Sequence, residues 1–456
     1  MAERRAPSAV GADPREIAWR VLRAVDEDGA YANLVLPRLL TERQLSPRDA
    51  ALATELSAGT LRMRGLYDAV LAAVADRPVQ RLDPPVLDVL RLGAHQLLAT
   101  RVPTHAAVST SVQLTKRLIG HRATGLVNAV LRRVAGQDQA AWVRQVAPPA
   151  DQDPLGHLSV ALSHPRWVVE QMHAALDGDL EQTAELLAAD NLAPQVSLVA
   201  RPGLATPEEL SGPGSLPGRW SPYAVQMVGG DPGRLRAVRE GRAGVQDEGS
   251  QLVALATVAA GIRGPDAAWL DLTAGPGGKA ALLAAMGTTR GARLVATELH
   301  PHRARLVAQA VRRVPGTTVL AADATRLPLV AGAFDRVLLD APCTGLGALR
   351  RRPEARWRRT SEELGPMTEL QRTLLDAALT AVRPGGVVTY ATCSPVRAET
   401  REVVQRVSAE RTDIETLDAS VALPQLSGTL PPGPYVQLWP HRHGTDAMFI
   451  AQLRRL

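Results

Sequence analysis

The sequence predicts a multidomain protein in which an all-α helical bundle and a small α+β module precede a Rossmann-like α/β domain. Its 456 residues exceed the roughly 100–200 residues of a usual single domain. Apolar residues recur at helical spacing in the first third of the chain. After residue 246, short apolar runs alternate with helical patterns, which is typical of a parallel sheet with crossover helices.

Domain boundaries follow from changes in composition along the chain. Residues 1–13 combine charge, Ala, Gly and Pro without apolar periodicity, so we expect a mobile tail. Residues 14–135 carry six or seven helical patterns and form the predicted bundle. Residues 136–162 are rich in Gln, Asp and Pro and are predicted to be a linker. The α+β module is expected over residues 163–245 and the α/β domain over residues 246–456.

Charge and hydropathy indicate which kinds of partner and which cellular location the sequence fits. The net charge of +6 and the pI near 9.8 are typical of a protein that binds a polyanion such as nucleic acid. Coding bias toward Arg would give the same balance, because the only lysines are Lys116 and Lys279. No apolar run approaches the roughly 18–20 residues of a membrane span, and the N-terminus lacks the apolar core of a signal peptide. We expect a cytoplasmic protein with no membrane partner that acts as a monomer.

A glycine-rich loop joins the first predicted strand of the α/β domain to a helix. Its sequence, Asp-Leu-Thr-Ala-Gly-Pro-Gly-Gly-Lys at residues 271–279, lets backbone amides approach a ligand, although an ordinary tight turn would look similar. Glu298 ends the next predicted strand, where an acidic residue commonly hydrogen-bonds a ribose hydroxyl. Asp323 ends the third strand, where it could meet an adenine edge. A nicotinamide cofactor would use the same ribose contact, so these positions alone leave the cofactor open.

The chain has two cysteines, and each follows a predicted strand. Cys343 closes the run Asp-Ala-Pro-Cys that begins at Asp340, and Cys393 lies in Thr-Cys-Ser after the fifth strand. Both are therefore expected at the ligand-binding edge of one sheet, although each could instead be a small buried hydrophobe. Without a secretion signal, a structural disulfide is not expected. Together with the loop sequence, these cysteines favour S-adenosylmethionine over a dinucleotide.

A thiol at this edge suits chemistry on cytosine, whose C5 is too electron-poor to attack a methyl donor until a nucleophile adds at C6. A thiolate can make that addition, but a free Cys has a pKa of about 8.5 and usually needs a helix N-terminus or a cation beside it. The helix predicted to begin near Ala398 could serve Cys393 in this way. Asp340 could hydrogen-bond the ring at N3 and N4 as charge builds up, or it could simply end a strand.

Basic residues follow Cys343 closely and include candidates for RNA binding. Arg350, Arg351 and Arg352 could contact phosphate, and Trp357 could stack on an unpaired base. An exposed basic loop without a ligand is the alternative. Near the C-terminus, two histidines and an acid between His441 and Asp446 do not predict a metal site, because no further ligands cluster at suitable spacing.

At these residues the sequence resembles the RsmB or Sun family, bacterial methyltransferases that act on cytosine C5 in 16S ribosomal RNA, and the resemblance covers nearly the whole chain. The glycine loop, residues 340–343 and residues 392–394 with Glu399 match the catalytic motifs of that family. Residues 245–251 and 441–446 match its flanking segments. The all-α region resembles the RNA-binding fold of the antitermination factor NusB.

The resemblance implies roles for individual residues. It makes Cys393 the nucleophile, makes Cys343 an aid to release of the product, and places Asp340 in the catalytic site. Thr273-Ala-Gly stands where Cys-Ala-Ala is more usual, and Glu298 stands where Asp is commoner. The residues implied to line the cofactor pocket are Thr273, Ala274, Gly275, Pro276, Gly277, Gly278, Lys279, Glu298, Asp323 and Asp340.

The resemblance also implies the activity, which is methyl transfer from S-adenosylmethionine to C5 of a cytosine in 16S ribosomal RNA, with the base unstacked. The same chemistry on transfer RNA is an alternative. A non-catalytic RNA-binding factor for ribosome assembly is another, although such a scaffold has no use for two thiols at strand ends. DNA methyltransferases fit less well, because in their pattern the Pro-Cys cysteine attacks the base.

Overall fold

The computed structural model describes residues 13–456, so the expected tail lies outside the described residues except for Asp13. The chain divides into two compact units. The helical unit contains the residues up to Glu170 together with Asp179–Leu192 and Leu349–Arg358. The sheet unit contains Gln171–Gly178, Ala193–Ala348 and Arg359–Leu456.

The α-helices of the described residues, in chain order, are α1 (Pro14–Asp28), α2 (Ala32–Arg43), α3 (Pro47–Arg62), α4 (Arg64–Ala75), α5 (Pro84–Ala99), α6 (Thr104–Leu118), α7 (Thr124–Val134), α8 (Gln139–Val146), α9 (Pro154–Ala161), α10 (Arg166–Ala175), α11 (Leu180–Asp190), α12 (Pro207–Leu210), α13 (Arg236–Glu240), α14 (Glu248–Ala259), α15 (Gly278–Thr288), α16 (Pro301–Val311), α17 (Ala355–Arg358), α18 (Leu364–Ala381), α19 (Arg401–Glu410) and α20 (Pro440–His443). None of these helices is long and apolar enough to cross a membrane.

The strands of the described residues are β1 (Val196–Ala200), β2 (Leu216–Pro217), β3 (Ala224–Met227), β4 (Ala243–Val245), β5 (Ala268–Asp271), β6 (Arg293–Glu298), β7 (Thr317–Ala321), β8 (Phe334–Asp340), β9 (Val382–Thr392), β10 (Ile414–Leu417), β11 (Val436–Gln437) and β12 (Phe449–Arg455). They form two sheets, both of which belong to the sheet unit.

The predicted all-α bundle corresponds to α1–α7, and its helices begin where polar side chains cap them. Asp13 accepts a hydrogen bond from the backbone N–H of Arg15, and Ser46 accepts one from Asp49. The apolar faces meet in one core, in which Tyr67 is fully buried. The helical character of the N-terminal region is thus confirmed.

The segment predicted to be a linker, residues 136–162, is instead folded. It forms α8 and α9, whose N-termini are capped by the carboxylates of Asp138 and Asp153. Trp142 is 5% exposed, and its indole N–H donates to the carbonyl oxygen of Val134 at 2.9 Å. The Asp residues that suggested a linker act as helix caps, and one buried Trp attaches the segment to the bundle.

The predicted α+β module is divided between the two units. Its strands form a four-stranded antiparallel sheet in the order β2-β3-β1-β4, with a core that includes Leu198 and Val225. Helix α11 belongs to the helical unit. There the side chain of Asn191 donates to the carbonyl oxygen of Leu162 at 2.8 Å, a contact that the local sequence pattern does not predict.

The C-terminal domain contains a mixed sheet in the order β10-β12-β9-β8-β5-β6-β7, with β11 paired to β12. Strands β5 to β9 are parallel, as predicted. Strand β12 runs antiparallel to β9 and β10, and it lies beyond the strands that the sequence predicted. The five parallel strands still end at one edge, where ligands bind in such sheets.

Candidate active site

The predicted site residues follow the ends of the five parallel strands, within the sheet unit. Because the strands lie in the order β7-β6-β5-β8-β9, their carboxyl ends carry, in the same order, Asp323, Glu298, Asp271, Asp340 and Cys393. The sheet therefore brings to one edge the acidic side chains and the thiol that lie far apart in sequence.

The glycine loop is attached to both neighbouring strands. The Thr273 hydroxyl donates to the carbonyl oxygen of Asp340 at 2.8 Å, and the Ala274 N–H donates to that of Thr297 at 2.9 Å. These bonds hold the loop between β6 and β8. The first backbone N–H groups of α15 then follow directly, and such unpaired amides are suited to a ligand.

Gly277 is required where this loop meets α16. Its φ is +106°, in the left-handed region that favours glycine. A Cβ built on it would lie 2.8 Å from the Cβ of Ala310 and 2.9 Å from the Cα of Val307. Any side chain here would force the loop away from α16, so the close approach fixes the loop position.

The two acids expected at the ribose and adenine differ in their surroundings. Glu298 is 6% exposed, and a Cβ built on Gly275 would lie 2.0 Å from its Oε2, so the carboxylate lies directly against the loop. Asp323 is exposed, and its Oδ1 accepts from the N–H and hydroxyl of Thr325. Those bonds lower the pKa of Asp323. Glu298 is thus part of the loop site, whereas Asp323 caps its own turn.

Two buried polar side chains lie near the loop, although the sequence did not predict either of them as a site residue. Asp271 is fully buried, and neither of its carboxylate oxygens has a hydrogen-bond partner among the described residues. Gln246 is 8% exposed with an equally unpaired amide, and its Cδ lies 3.9 Å from the position of a Cβ on Gly278. Buried polar groups are normally paired, so these two are candidates to meet a bound ligand. Asp271 opens the glycine-loop motif and Gln246 lies in the matched segment 245–251, but neither was assigned a contact with a ligand.

Replacing Asp271 by Asn is expected to stabilise the protein at pH 8. Burial, reinforced by the charge of Asp340, raises the pKa of Asp271 from 3.8 to about 7. The folded protein therefore keeps a proton that the unfolded chain releases, and stability is lost as the pH rises from about 4 to about 7, on the order of 4 kcal/mol in all. Asn stays neutral throughout. Calorimetry should show a gain in melting temperature at pH 8 that shrinks at pH 5, and an equal gain at both would contradict this.

The two thiols lie together. The Sγ atoms of Cys343 and Cys393 are 3.4 Å apart, and both side chains are partly exposed. Gly347 N–H donates to the carbonyl oxygen of Cys393 at 2.9 Å, and a Cβ on Gly347 would lie 2.2 Å from the carbonyl oxygen of Ala447. This close packing of three segments sets the distance between the thiols.

The charges around the two thiols differ. Burial alone would lower the pKa of Lys279, but Asp340, whose Oδ2 accepts from the ammonium at 2.9 Å, and Cys393 raise it overall. The pKa of Cys343 is raised well above its ordinary value by its hydrogen bond to Cys393, by burial and by the charges of Glu399 and Asp340. The charge of Lys279 thus interacts with Cys393, and the charges of Glu399 and Asp340 interact with Cys343.

The source of positive charge beside Cys393 differs from the one expected. The helix predicted near Ala398 begins at Arg401, after a turn over Arg397–Glu399. The cation that interacts with Cys393 is the ammonium of Lys279, which the sequence analysis had assigned only to the cofactor loop. A side chain from the start of α15 thus takes the place of the expected helix N-terminus.

The basic segment expected to bind RNA belongs to the helical unit. Arg350 is 7% exposed, and the indole N–H of Trp357 donates to the carbonyl oxygen of Leu61 at 3.0 Å. These contacts correct the expectation that Arg350 and Trp357 are presented to RNA, because both side chains pack inside the unit. Arg351 is partly exposed, and Arg352 alone of the four is fully accessible.

The C-terminal histidines are structural in their contacts. The Trp439 N–H donates to Nδ1 of His443 at 3.0 Å, and burial lowers the pKa values of His441 and His443 to about 4. Within the described residues, no three His, Cys, Asp or Glu side chains are grouped so that they could hold a metal ion.

Comparison with known proteins identifies the family. A family model described as 16S rRNA methyltransferase RsmB/F matches residues 263–454, and the NusB family model matches residues 12–136. A Pseudomonas putida protein named ribosomal RNA small subunit methyltransferase B is 31% identical over 458 residues, which is 97% of this chain and 99% of that protein. The chain belongs to the RsmB/F family of 16S rRNA methyltransferases.

Two further similar proteins were found. A Mycobacterium tuberculosis protein named only as a methyltransferase is 52% identical over 455 residues, 99% of each chain. The crystallised protein PH0851 has a TM-score of 0.79 at 21% identity, covering 98% of this chain and 100% of that one, which shows the shared fold. The predicted family, fold class and methyltransferase class are confirmed, and S-adenosylmethionine is the cofactor of this class.

Proposed function

We propose that this RsmB/F-family protein methylates C5 of a cytosine in 16S ribosomal RNA through a covalent bond between Cys393 and C6 of the base. The observation that carries the proposal is the pair of thiols 3.4 Å apart beside the Lys279–Asp340 ion pair. The charge of Lys279 interacts with Cys393, and carboxylate charges interact with Cys343. This difference suits the two thiols to two different steps of one reaction.

In the first step the Cys393 thiolate adds to C6, and the electron pair of the C5–C6 double bond moves toward C5. The Lys279 ammonium offsets the negative charge of the thiolate and then that of the ring. Asp340 accepts a hydrogen bond from the amino group N4 and so orients the base. S-adenosylmethionine, when bound, supplies the electrophilic methyl group that C5 takes up.

In the second step Cys343 removes the proton from C5, and the electron pair of that C–H bond re-forms the C5–C6 double bond as the Cys393 sulfur leaves C6. The largest cause of the raised pKa of Cys343 is its hydrogen bond to Cys393. Formation of the adduct removes that partner, so Cys343 can then lose its own proton to solvent and act as a base. The order of the two steps thus follows from the contact between the thiols.

The residues of the loop fit the cofactor. The amides from Thr273 to Lys279 would approach its polar end, and Glu298, held against Gly275, would accept from a ribose hydroxyl. The unpaired side chains of Asp271 and Gln246 would gain partners. Asp323, being exposed, would close the outer side of the pocket.

Calorimetry tests the cofactor. We expect S-adenosylhomocysteine to bind with a dissociation constant on the order of micromolar, and NADH to show no binding, because the glycine loop, Glu298 and Asp323 are proposed to form one pocket for S-adenosylmethionine. Tight binding of NADH without binding of S-adenosylhomocysteine would overturn the assignment.

Bisulfite sequencing of total RNA from a deletion strain tests the substrate. We expect one 5-methylcytosine to disappear from 16S ribosomal RNA and to return when the gene is restored, but not when the restored gene carries Cys393→Ala. Loss of the mark from transfer RNA instead would replace the proposed substrate, and no lost mark would favour an assembly factor without catalysis.

A further inference from the structure

Glu399 connects the two cysteine segments. Its side chain is fully buried in the sheet unit. One carboxylate oxygen accepts from the backbone N–H of Thr344 at 2.7 Å, and the other accepts from the Thr344 hydroxyl at 2.5 Å and the Ser394 hydroxyl at 2.6 Å. Thr344 follows Cys343 directly and Ser394 follows Cys393 directly. One carboxylate therefore holds the residue next to each thiol.

The surroundings of this carboxylate are unusual for a buried acid. A further bond comes from the side-chain amide of Gln371 at 3.2 Å, so all four donors to Glu399 are uncharged. A buried carboxylate costs free energy that neutral donors offset only when several of them are well aligned. A neutral side chain of the same shape would avoid that cost, so the charge itself has a use here.

We propose that Glu399 is a positioning residue that sets the relative placement of the two thiols, through Thr344 for Cys343 and through Ser394 for Cys393. We call the hydrogen bonds between Glu399 and Thr344 the Thr344 arm, and the hydrogen bond between Glu399 and Ser394 the Ser394 arm. The inference rests on the proposed function, because it assigns each arm to one step of that reaction. The Ser394 arm aligns the thiol that attacks C6, and the Thr344 arm aligns the thiol that releases the product. The carboxylate touches neither substrate nor cofactor and acts only through these two neighbours.

Gln is the informative replacement for Glu399 because it keeps the size of the side chain. Its amide has one acceptor oxygen in place of two, so at least one hydrogen bond that Glu399 accepts must be lost or reversed in direction. We expect Glu399→Gln to lower kcat about a hundredfold while KM for S-adenosylmethionine changes less than about threefold. Glu399→Asp retains both acceptor oxygens and is expected to recover about tenfold of that loss. The exposed Glu402, three residues later, provides the matched control, and Glu402→Gln should behave like the wild type.

The two arms can be tested separately on denaturing gels. Thr344→Val keeps the shape of the side chain but removes the hydroxyl, and we expect it to accumulate protein covalently joined to RNA because release is slowed. Ser394→Ala is expected to slow methyl transfer about tenfold without accumulation, because attack is slowed. Identical behaviour of the two variants would contradict a separate role for each arm.

Alkylation of the thiols with iodoacetamide, followed by mass spectrometry, provides a measurement that needs no RNA. We expect Glu399→Gln to raise the rate of Cys343 modification relative to Cys393 by about threefold or more, because the nearby carboxylate charge is removed. If the proposed RNA chemistry is wrong, no variant forms an adduct but this ratio still changes. If the positioning role is wrong, the wild type methylates RNA but the ratio, the kcat and the adduct levels of the variants stay unchanged. A fall in affinity for S-adenosylhomocysteine and in melting temperature that parallels the fall in kcat would reduce Glu399 to a structural residue.

Discussion

The Cys343→Ala protein, mixed with substrate RNA and S-adenosylmethionine, is expected to accumulate as a covalent protein–RNA complex that migrates slowly on a denaturing gel. Without Cys343 the thiol proposed to remove the C5 proton is missing, so the sulfur of Cys393 stays bonded to C6. Multiple turnover should fall at least about a thousandfold.

The Cys393→Ala protein and the double variant serve as the matched comparison. Both lack the attacking thiol, so neither is expected to form the slow band or to transfer methyl groups. Both should still bind S-adenosylhomocysteine, because the glycine loop holds its own contacts to the neighbouring strands. A band from Cys393→Ala that is absent from Cys343→Ala would mean that the roles of the two thiols are reversed.

Lys279→Gln is expected to lower single-turnover methyl transfer about a thousandfold. Gln can still donate to Asp340 and Ser250, which the Lys279 ammonium contacts at 2.9 and 3.2 Å, but it carries no charge. The thiolate of Cys393 then loses its cation, and the carboxylates nearby are left uncompensated. The rate of alkylation of Cys393 by iodoacetamide at pH 7 should fall about tenfold.

The chain provides a matched control for this charge change. Lys116, the only other lysine, is exposed on α6, and Lys116→Gln alters the net charge by the same amount far from the thiols in sequence. It should leave both rates unchanged. Unaltered alkylation of Cys393 in Lys279→Gln would show that the ammonium does not act on the thiol, whatever the loss of methyl transfer.

The sequence predicted which residues lie at the carboxyl edge of the sheet, because strand ends in an α/β domain are marked by short-range patterns. Short apolar runs end in Asp340 and before Cys393, and parallel strands bring such ends together without any knowledge of side-chain packing. The separation of the thiols was not predictable in the same way. It depends on Gly347 and Glu399, whose contacts join segments that are distant in the chain.

Other features depended on tertiary contacts that oppose the local signal. Residues 136–162 have the composition of a linker, yet Trp142 and two capping Asp residues make them helical. The run of arginines after Cys343 suggested a surface for RNA, yet the guanidinium of Arg356 is fully buried. A charged side chain in the sequence indicates exposure only when no partner is available. The capping Asp residues find their partners within the same segment, and Arg356 finds its partners in distant parts of the chain.

The contacts of Arg356 limit where this protein can be joined to a relative to make a chimera. Its guanidinium donates to the Asn191 side chain at 2.8 Å and to the carbonyl oxygen of Ser163 at 3.1 Å, within a helical unit that is assembled from three stretches of the chain. A chimera that takes only its first 170 residues from a relative would surround a native Leu349–Arg358 with foreign partners. A working exchange has to carry that decapeptide as well, although it is encoded between the two cysteines. A genetic crossover with a relative at the end of the NusB-like region therefore separates residues that pack together. We expect the whole gene to be inherited from one parent.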